Sequence, residues 1–251
     1  MCREQVQMFI YAMRSVGIPA GMDLYVQHPD MEAKKHEWNY MRDTTGKSVG
    51  FEYYDTKIFG QDITDVRKRG KIYRNFFQLQ RESLPVRYQG IEIPITLDDV
   101  FLKDVSSDYF PENCVELPLD NYRNWDVLYL SVFNNTEWIP VAWSEVKNKK
   151  IQFRYLQPGV LYQLSGYTAG KTIPASEPFM MNRDGSVHFA LADTNHTQSI
   201  KVVRKFPYPE WWERTRICAV DGQFQGAKIL ARYIFLLPEQ PSPLLLKTAT
   251  K

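Results

Sequence analysis

From about Ile91 onward the sequence breaks into short apolar segments separated by turn signals. The intervals are about 8–12 residues, the spacing of a β-sandwich. Val127 to Phe133 runs into Asn134-Asn135, and Trp138 to Trp143 leads to Lys147-Asn148-Lys149. Ile151 to Tyr155 and Val160 to Tyr167 follow, the latter ending in Thr168-Ala169-Gly170. Val187 to Leu191, Ile200 to Phe206, Arg216 to Val220 and Phe224 to Phe235 complete the series, each bounded by Gly, Pro, Asn or Asp. An isolated pair of such strands is marginal in water, so the pattern requires sheets that pack on something. The aromatic content agrees, with 15 Tyr, 14 Phe and 6 Trp among 251 residues.

The first ninety residues read differently. Val6, Phe9, Ile10, Met13 and Val16 recur at helical spacing, which predicts a helix over 3–16 with Gly17 as its stop. Strand-like segments follow at Ile18 to Val26, His36 to Arg42 and Val49 to Tyr54, with a turn at Asp43-Thr44-Thr45-Gly46. The polar stretch 61–71 reads as a loop, and Tyr73 to Arg81 as strand or short helix. The predicted organisation is a first module over 1–90, a β-sandwich-like module over 91–237 and a proline-bearing linker or tail over 238–251.

Charge excludes some functions. The net charge is +2, and residues 1–90 carry 14 basic and 11 acidic side chains, leaving 17 and 18 for the rest. Neither part has the one-sign field that gathers nucleic acid. The longest apolar runs, such as 233–237, fall far short of the ~20 residues of a spanning helix, and no signal peptide is apparent. Cys2, Cys114 and Cys218 have no zinc-ligand spacing, and no phosphate-binding glycine motif occurs, so no cofactor or metal is called for. A Cys114–Cys218 disulfide stays open. Asn134 and Asn195 fit the glycosylation sequon.

Chemistry points to the first 55 residues. Cys2 lies at the first turn of the predicted helix, where unpaired N–H groups and the dipole favour thiolate. His36 opens a strand, and Glu52 follows on the next one. A helix-borne Cys, a strand-borne His and an acid form a thiol triad in the general sense. The alternative makes Cys2 a small helix residue, His36 an ordinary strand histidine and Glu52 a solvated carboxylate. Of the rest, His28 reads as surface, His196 as part of a turn and Trp38 as core. Trp211-Trp212 reads as a pair closing the end of a sandwich or stacking a sugar.

Cys2, Arg14-Ser15-Val16-Gly17-Ile18-Pro19-Ala20, His36-Glu37-Trp38-Asn39 and Gly46-Lys47-Ser48-Val49-Gly50-Phe51-Glu52 together resemble the transglutaminase-like cysteine hydrolase core. The resemblance implies an α+β fold: a partial papain-like core, helix then antiparallel strands, followed by a β-sandwich-like all-β module. It implies Cys2 as nucleophile, His36 as base and Glu52 as orienting acid. The family usually has Asp at the third place, and Glu reaches ~1.5 Å further; Asp55 and Asp43 are the alternative acids. Lys71-Ile72-Tyr73-Arg74, Leu130 to Pro140 and Gly222 to Ala227 resemble large bacterial surface proteins that carry such a core. That likeness implies an extracytoplasmic setting (periplasm or cell surface) and further modules of the same polypeptide. It also implies a start truncated before Cys2, leaving Val6, Phe9, Ile10 and Met13 without their covering helices.

The function so expected is thiol-dependent acyl transfer or amide hydrolysis, of protease, amidase or transglutaminase type, on a peptide, protein or glycopeptide. The rival is a non-catalytic binding or scaffold fragment whose β module takes glycan or protein. An N-terminal-nucleophile amidase at Cys2 conflicts with the helical periodicity.

Overall fold

The structure, a computed structural model, describes residues 2–29, 35–52, 55–58, 68–119, 125–190, 200–201 and 247–248. The chain divides into two compact units, Met1–Val187 and His188–Lys251. In the second unit, β15 (Ile200–Lys201) pairs antiparallel with β16 (Lys247–Thr248).

The first unit opens with α1 (Cys2–Ser15). Glu4 in its first turn and Arg14 in its last complement the helix dipole. Its end is a Schellman motif: Ile18 N–H donates to the Met13 carbonyl and Gly17 N–H to Arg14's, with Gly17 at φ 83°. β1 (Ala20–Tyr25), β2 (His36–Arg42), β3 (Ser48–Glu52), β4 (Asp55–Ile58), β5 (Tyr73–Asn75) and, after α2 (Leu84–Arg87), β6 (Leu102–Asp104) form one antiparallel sheet. Its order is β4-β3-β2-β1-β5-β6. Gly21 sits opposite Tyr40, and a Cβ there would lie 2.4 Å from the Tyr40 ring, so the glycine makes room for that ring across the strand pair.

β7 (Cys114–Pro118) and β10 (Lys150–Arg154) form a two-stranded sheet. Both alternate strictly, with Val115, Leu117, Ile151 and Phe153 buried and their neighbours exposed. They cover one face of a second antiparallel sheet, β9-β8-β11-β13, built from β8 (Val127–Phe133), β9 (Trp138–Glu145), β11 (Leu161–Thr168) and β13 (Phe179–Met181). β12 (Lys171–Pro174) also pairs with β11, and β14 (Val187–Phe189) starts at the last residue of the first unit. β8 and β11 are buried on both faces, because β7 and β10 cover one and the six-stranded sheet the other. Val127 and Tyr129 share a core with Val6, Met22, Leu24 and Tyr73. The boundary expected near residue 90 therefore falls inside one unit.

Where β9 passes Pro140 the register slips: Leu130 faces Ala142 but Ser131 faces Pro140, leaving Val141 as the bulged residue. The Tyr73 hydroxyl donates to the Val141 carbonyl at 2.6 Å, which ties the six-stranded sheet to that bulge.

The α+β papain-like core expected from the resemblance is not what the chain forms. The described residues are mostly antiparallel β, with sixteen strands and two α-helices, one of them a single turn. Among the described residues the one long helix is α1, and the segments after it are mostly strands paired antiparallel with one another. Val6 is buried and Phe9, Ile10 and Met13 are half-buried against the sheet, so the apolar stripe of α1 is not left open; Met8 and Tyr11 are the exposed apolar residues of α1. The β-sandwich-like stacking of antiparallel sheets is present. No helix among the described residues is long and apolar enough to cross a membrane. The strands expected over 216–220 and 224–235, the tail over 238–246, Trp211-Trp212, His196, Asn195 and Cys218 lie outside the described residues. Cys114 is a free, exposed thiol.

Tyr73→Phe should destabilise the protein by about 1–3 kcal/mol, because it leaves the buried Val141 carbonyl unpaired. Urea unfolding measures this, and an unchanged midpoint would show that the bulge does not depend on the phenol.

Candidate functional site at one end of the six-stranded sheet

The helix and strand directions decide what meets. The Schellman turn and the Arg14 Nε bond to the Ala20 carbonyl (2.9 Å) place the end of α1 at the start of β1. β1 runs back along the helix, and β2 reverses again, with Ala20 beside Met41 and Tyr25 beside His36. The start of α1, with Cys2, and the start of β2, with His36, thus lie at the same end. β3 returns to that end, with Arg42 beside Ser48 and Asn39 beside Phe51, so Glu52 closes β3 one residue beyond that pair. Asp55 is paired with Glu52 across the irregular β3–β4 register. The backbone therefore gathers Cys2, His36, Glu52 and Asp55 at one end of the sheet.

Asp43 sits at the other end of β2, in the turn to β3. Its Oδ1 accepts from Thr45 N–H, Thr45 Oγ1 and Lys47 N–H at 2.6–2.9 Å. The Thr45 hydroxyl bond, with the backbone bonds, holds its carboxyl below the ordinary value against desolvation. Asp43 sets the hairpin and is too far along β2 to serve His36.

Strand alternation decides the faces. Asn39 Nδ2 donates to the Val6 carbonyl at 3.0 Å, Phe51 meets Phe9 edge-on, and Met22 and Leu24 pack on Val6. These residues define the face that α1 covers. His36 and Trp38 alternate with Asn39 and belong to the opposite face, with Tyr25, Ile72 and Val105. The His36 ring lies 5.8 Å from Tyr25 and 6.2 Å from Trp38 by centroids, tilted against both.

On that face lies a polar network that sequence reasoning missed. Asp23 and Arg74 are almost wholly buried, at 0% and 2% exposure, and make two parallel 2.8 Å bonds, Nε to Oδ1 and Nη2 to Oδ2. Arg74 also donates to Ser48 Oγ (3.0 Å), pairs with Asp108 (3.1 Å) and lies 3.7 Å over the Tyr40 ring. Tyr109 donates its hydroxyl to Asp23 Oδ2 at 2.7 Å and accepts from Trp38 Nε1 at 3.0 Å. Burial pushes the Asp23 carboxyl up, while Arg74 and Tyr109 pull against it. Burial works against Arg74's charge, but bonding to Asp23 outweighs it and raises the guanidinium's pKa. Burial and the neighbouring Asp23 push the Tyr109 phenol well above its usual value, which keeps it a donor.

His28 was expected at the surface and is buried instead, edge-on to Tyr25 at 5.6 Å. Trp38 is core, as expected. Asn134, the first sequon asparagine, is buried, and its Oδ1 accepts from Thr136 and Glu137 to shape the β8–β9 turn. No cluster of metal-ligating side chains occurs among the described residues. The chain matches no family model, no curated protein and no solved structure.

Arg74→Met should cost about 3–5 kcal/mol, because it strands the Asp23 carboxylate in the core. Denaturant unfolding checks this; a loss below ~1 kcal/mol would mean the pair is dispensable. The depressed Asp43 carboxyl gives a pH signature. Its contribution is present above the ordinary carboxylate value and is lost as pH falls through its lowered one. Amide exchange at Thr45 and Lys47 should therefore gain an acid-dependent opening step that Asp43→Ala shows at every pH.

Proposed function

We propose that this chain performs thiol-dependent acyl transfer or amide hydrolysis, with Cys2 as nucleophile, His36 as general base and Glu52 as the acid that orients it. The observation that carries this reading is the convergence of the start of α1, the start of β2 and the end of β3 at one end of the sheet. The resemblance of residues 1–56 to transglutaminase-like cysteine hydrolases supports the same assignment. The positive end of the α1 dipole favours thiolate, and helix-start N–H groups are donors of the kind that hold an oxyanion. The thiolate attacks an amide carbonyl, the imidazolium protonates the departing amine, and water or a second amine takes the acyl group. Asp55, paired with Glu52, is the alternative acid. The substrate class is a peptide, protein or glycopeptide, and the setting is extracytoplasmic, with further modules of the same polypeptide.

A second reading, a non-catalytic binding or scaffold module, is favoured by the placement of His36 against Tyr25 and Trp38 on the face away from α1. The pH dependence of iodoacetamide labelling separates the two, read by peptide mapping with exposed Cys114 as the internal comparison. Fast labelling of Cys2 near neutral pH, lost in His36→Ala, is the result expected for the enzyme. A Cys2 midpoint near ~8.5, unchanged by His36→Ala, would leave the scaffold reading.

A further inference from the structure

We infer that Tyr109 is a positioning residue for His36, acting through the indole of Trp38. The inference rests on the thiol reading for its catalytic consequence, though the link itself is structural. The His36 imidazole lies against the rings of Tyr25 and Trp38. Trp38 sits directly across the strand pair from Asp23, and its Nε1 donates to the Tyr109 hydroxyl. That hydroxyl donates onward to Asp23, which Arg74 grips with two bonds. The Tyr109 ring also closes edge-on against the Trp38 ring, at 5.9 Å and 86°. One phenol thus sets both the tilt of the indole and its hydrogen bond. Tyr109 comes from the segment after β6 and acts on His36 through Trp38.

A hydroxyl accepting from a neutral indole and donating to a buried carboxylate has a fixed proton direction. The raised phenol and the ionic Arg74–Asp23 pair leave no second arrangement with both bonds satisfied. Tyr109→Phe keeps the ring and removes both bonds. It frees the indole to rock, and the imidazole tilted against it moves too. Displacing a catalytic base by ~1 Å costs up to about a hundredfold in rate.

The test has two readouts in the full chain. The first is the ring-proton chemical shift of His36, which senses the ring currents of Trp38 and Tyr25. The second is the rate of Cys2 alkylation at neutral pH. Tyr109→Phe should move the His36 ring shift and slow alkylation about tenfold or more. Trp38→Phe removes the same bond from the other side and should slow it comparably. The double variant should be no slower than the worse single one, whereas independent damage would multiply. An unmoved His36 shift in Tyr109→Phe, or multiplying effects in the double variant, overturns the inference. If Cys2 labelling in the wild type ignores His36, the thiol reading fails, and the ring shift still decides whether Tyr109 positions the imidazole.

Discussion

The ion pair between Arg74 and Asp23 is the constraint on which the rest of this structure depends. Taking both charges out of water costs several kcal/mol per ion, and only a well-formed, fully hydrogen-bonded geometry repays it. Here the guanidinium fork meets the carboxylate on both oxygens, and further partners of the pair come from separate parts of the sheet and its loops. Ser48 belongs to β3, Tyr40 to β2 and Tyr109 to the segment after β6. The pair therefore decides where β1, β2, β3 and β5 sit, and on which face Trp38 and His36 stand.

The strand that supplies Arg74 also joins the sheets. Before it, Gln157 Oε1 accepts from the Arg69 and Gly70 amides, Tyr162 donates to the Gly70 carbonyl, and Lys71 donates to the Arg154 carbonyl. Ile72 is wholly buried, with its N–H on Ser106 Oγ, and Tyr73 reaches the Val141 bulge. The residues from Arg69 to Arg74 together bond to or pack against several separate parts of the unit. That explains why six short strands with a single long helix hold together as one body with the sheet beyond them.

Much of the fold was legible where one local rule suffices. The run His36 to Arg42 and the run Val127 to Phe133 read as strands because bulky residues lie between turn signals, and both match β2 and β8 at each end. The Asp43 turn and the Gly17 stop were legible from single residues. Cys114 to Pro118 alternates cleanly but gives little local signal, since its buried positions are only Val115 and Leu117 and its partner lies over 30 residues away. His28 looked like a loop residue because nothing local announces the Tyr25 ring that covers it. The Asp23–Arg74 network was illegible for the same reason: its members are spread from residue 23 to residue 109, and each alone reads as an ordinary polar residue. The α+β expectation fails because it rests on a resemblance over less than a quarter of the chain, and the strand-rich remainder does not form that architecture.

Two physical tendencies compete at the candidate site. Topology draws the starts of α1 and β2 to one end, while alternation turns the His36 ring to the face away from the helix. At the end of a sheet the second constraint can relax, since a terminal strand residue has no neighbour beyond it. Bridging by 1,3-dibromoacetone, which links a thiol to an imidazole only when both lie within one short spacer, asks which tendency prevails. In a Cys114→Ser background, thiol-dependent chemistry at this site predicts a single Cys2–His36 cross-link at one equivalent of reagent. Alkylation of Cys2 alone, with His36 unmodified in the folded protein, would contradict it.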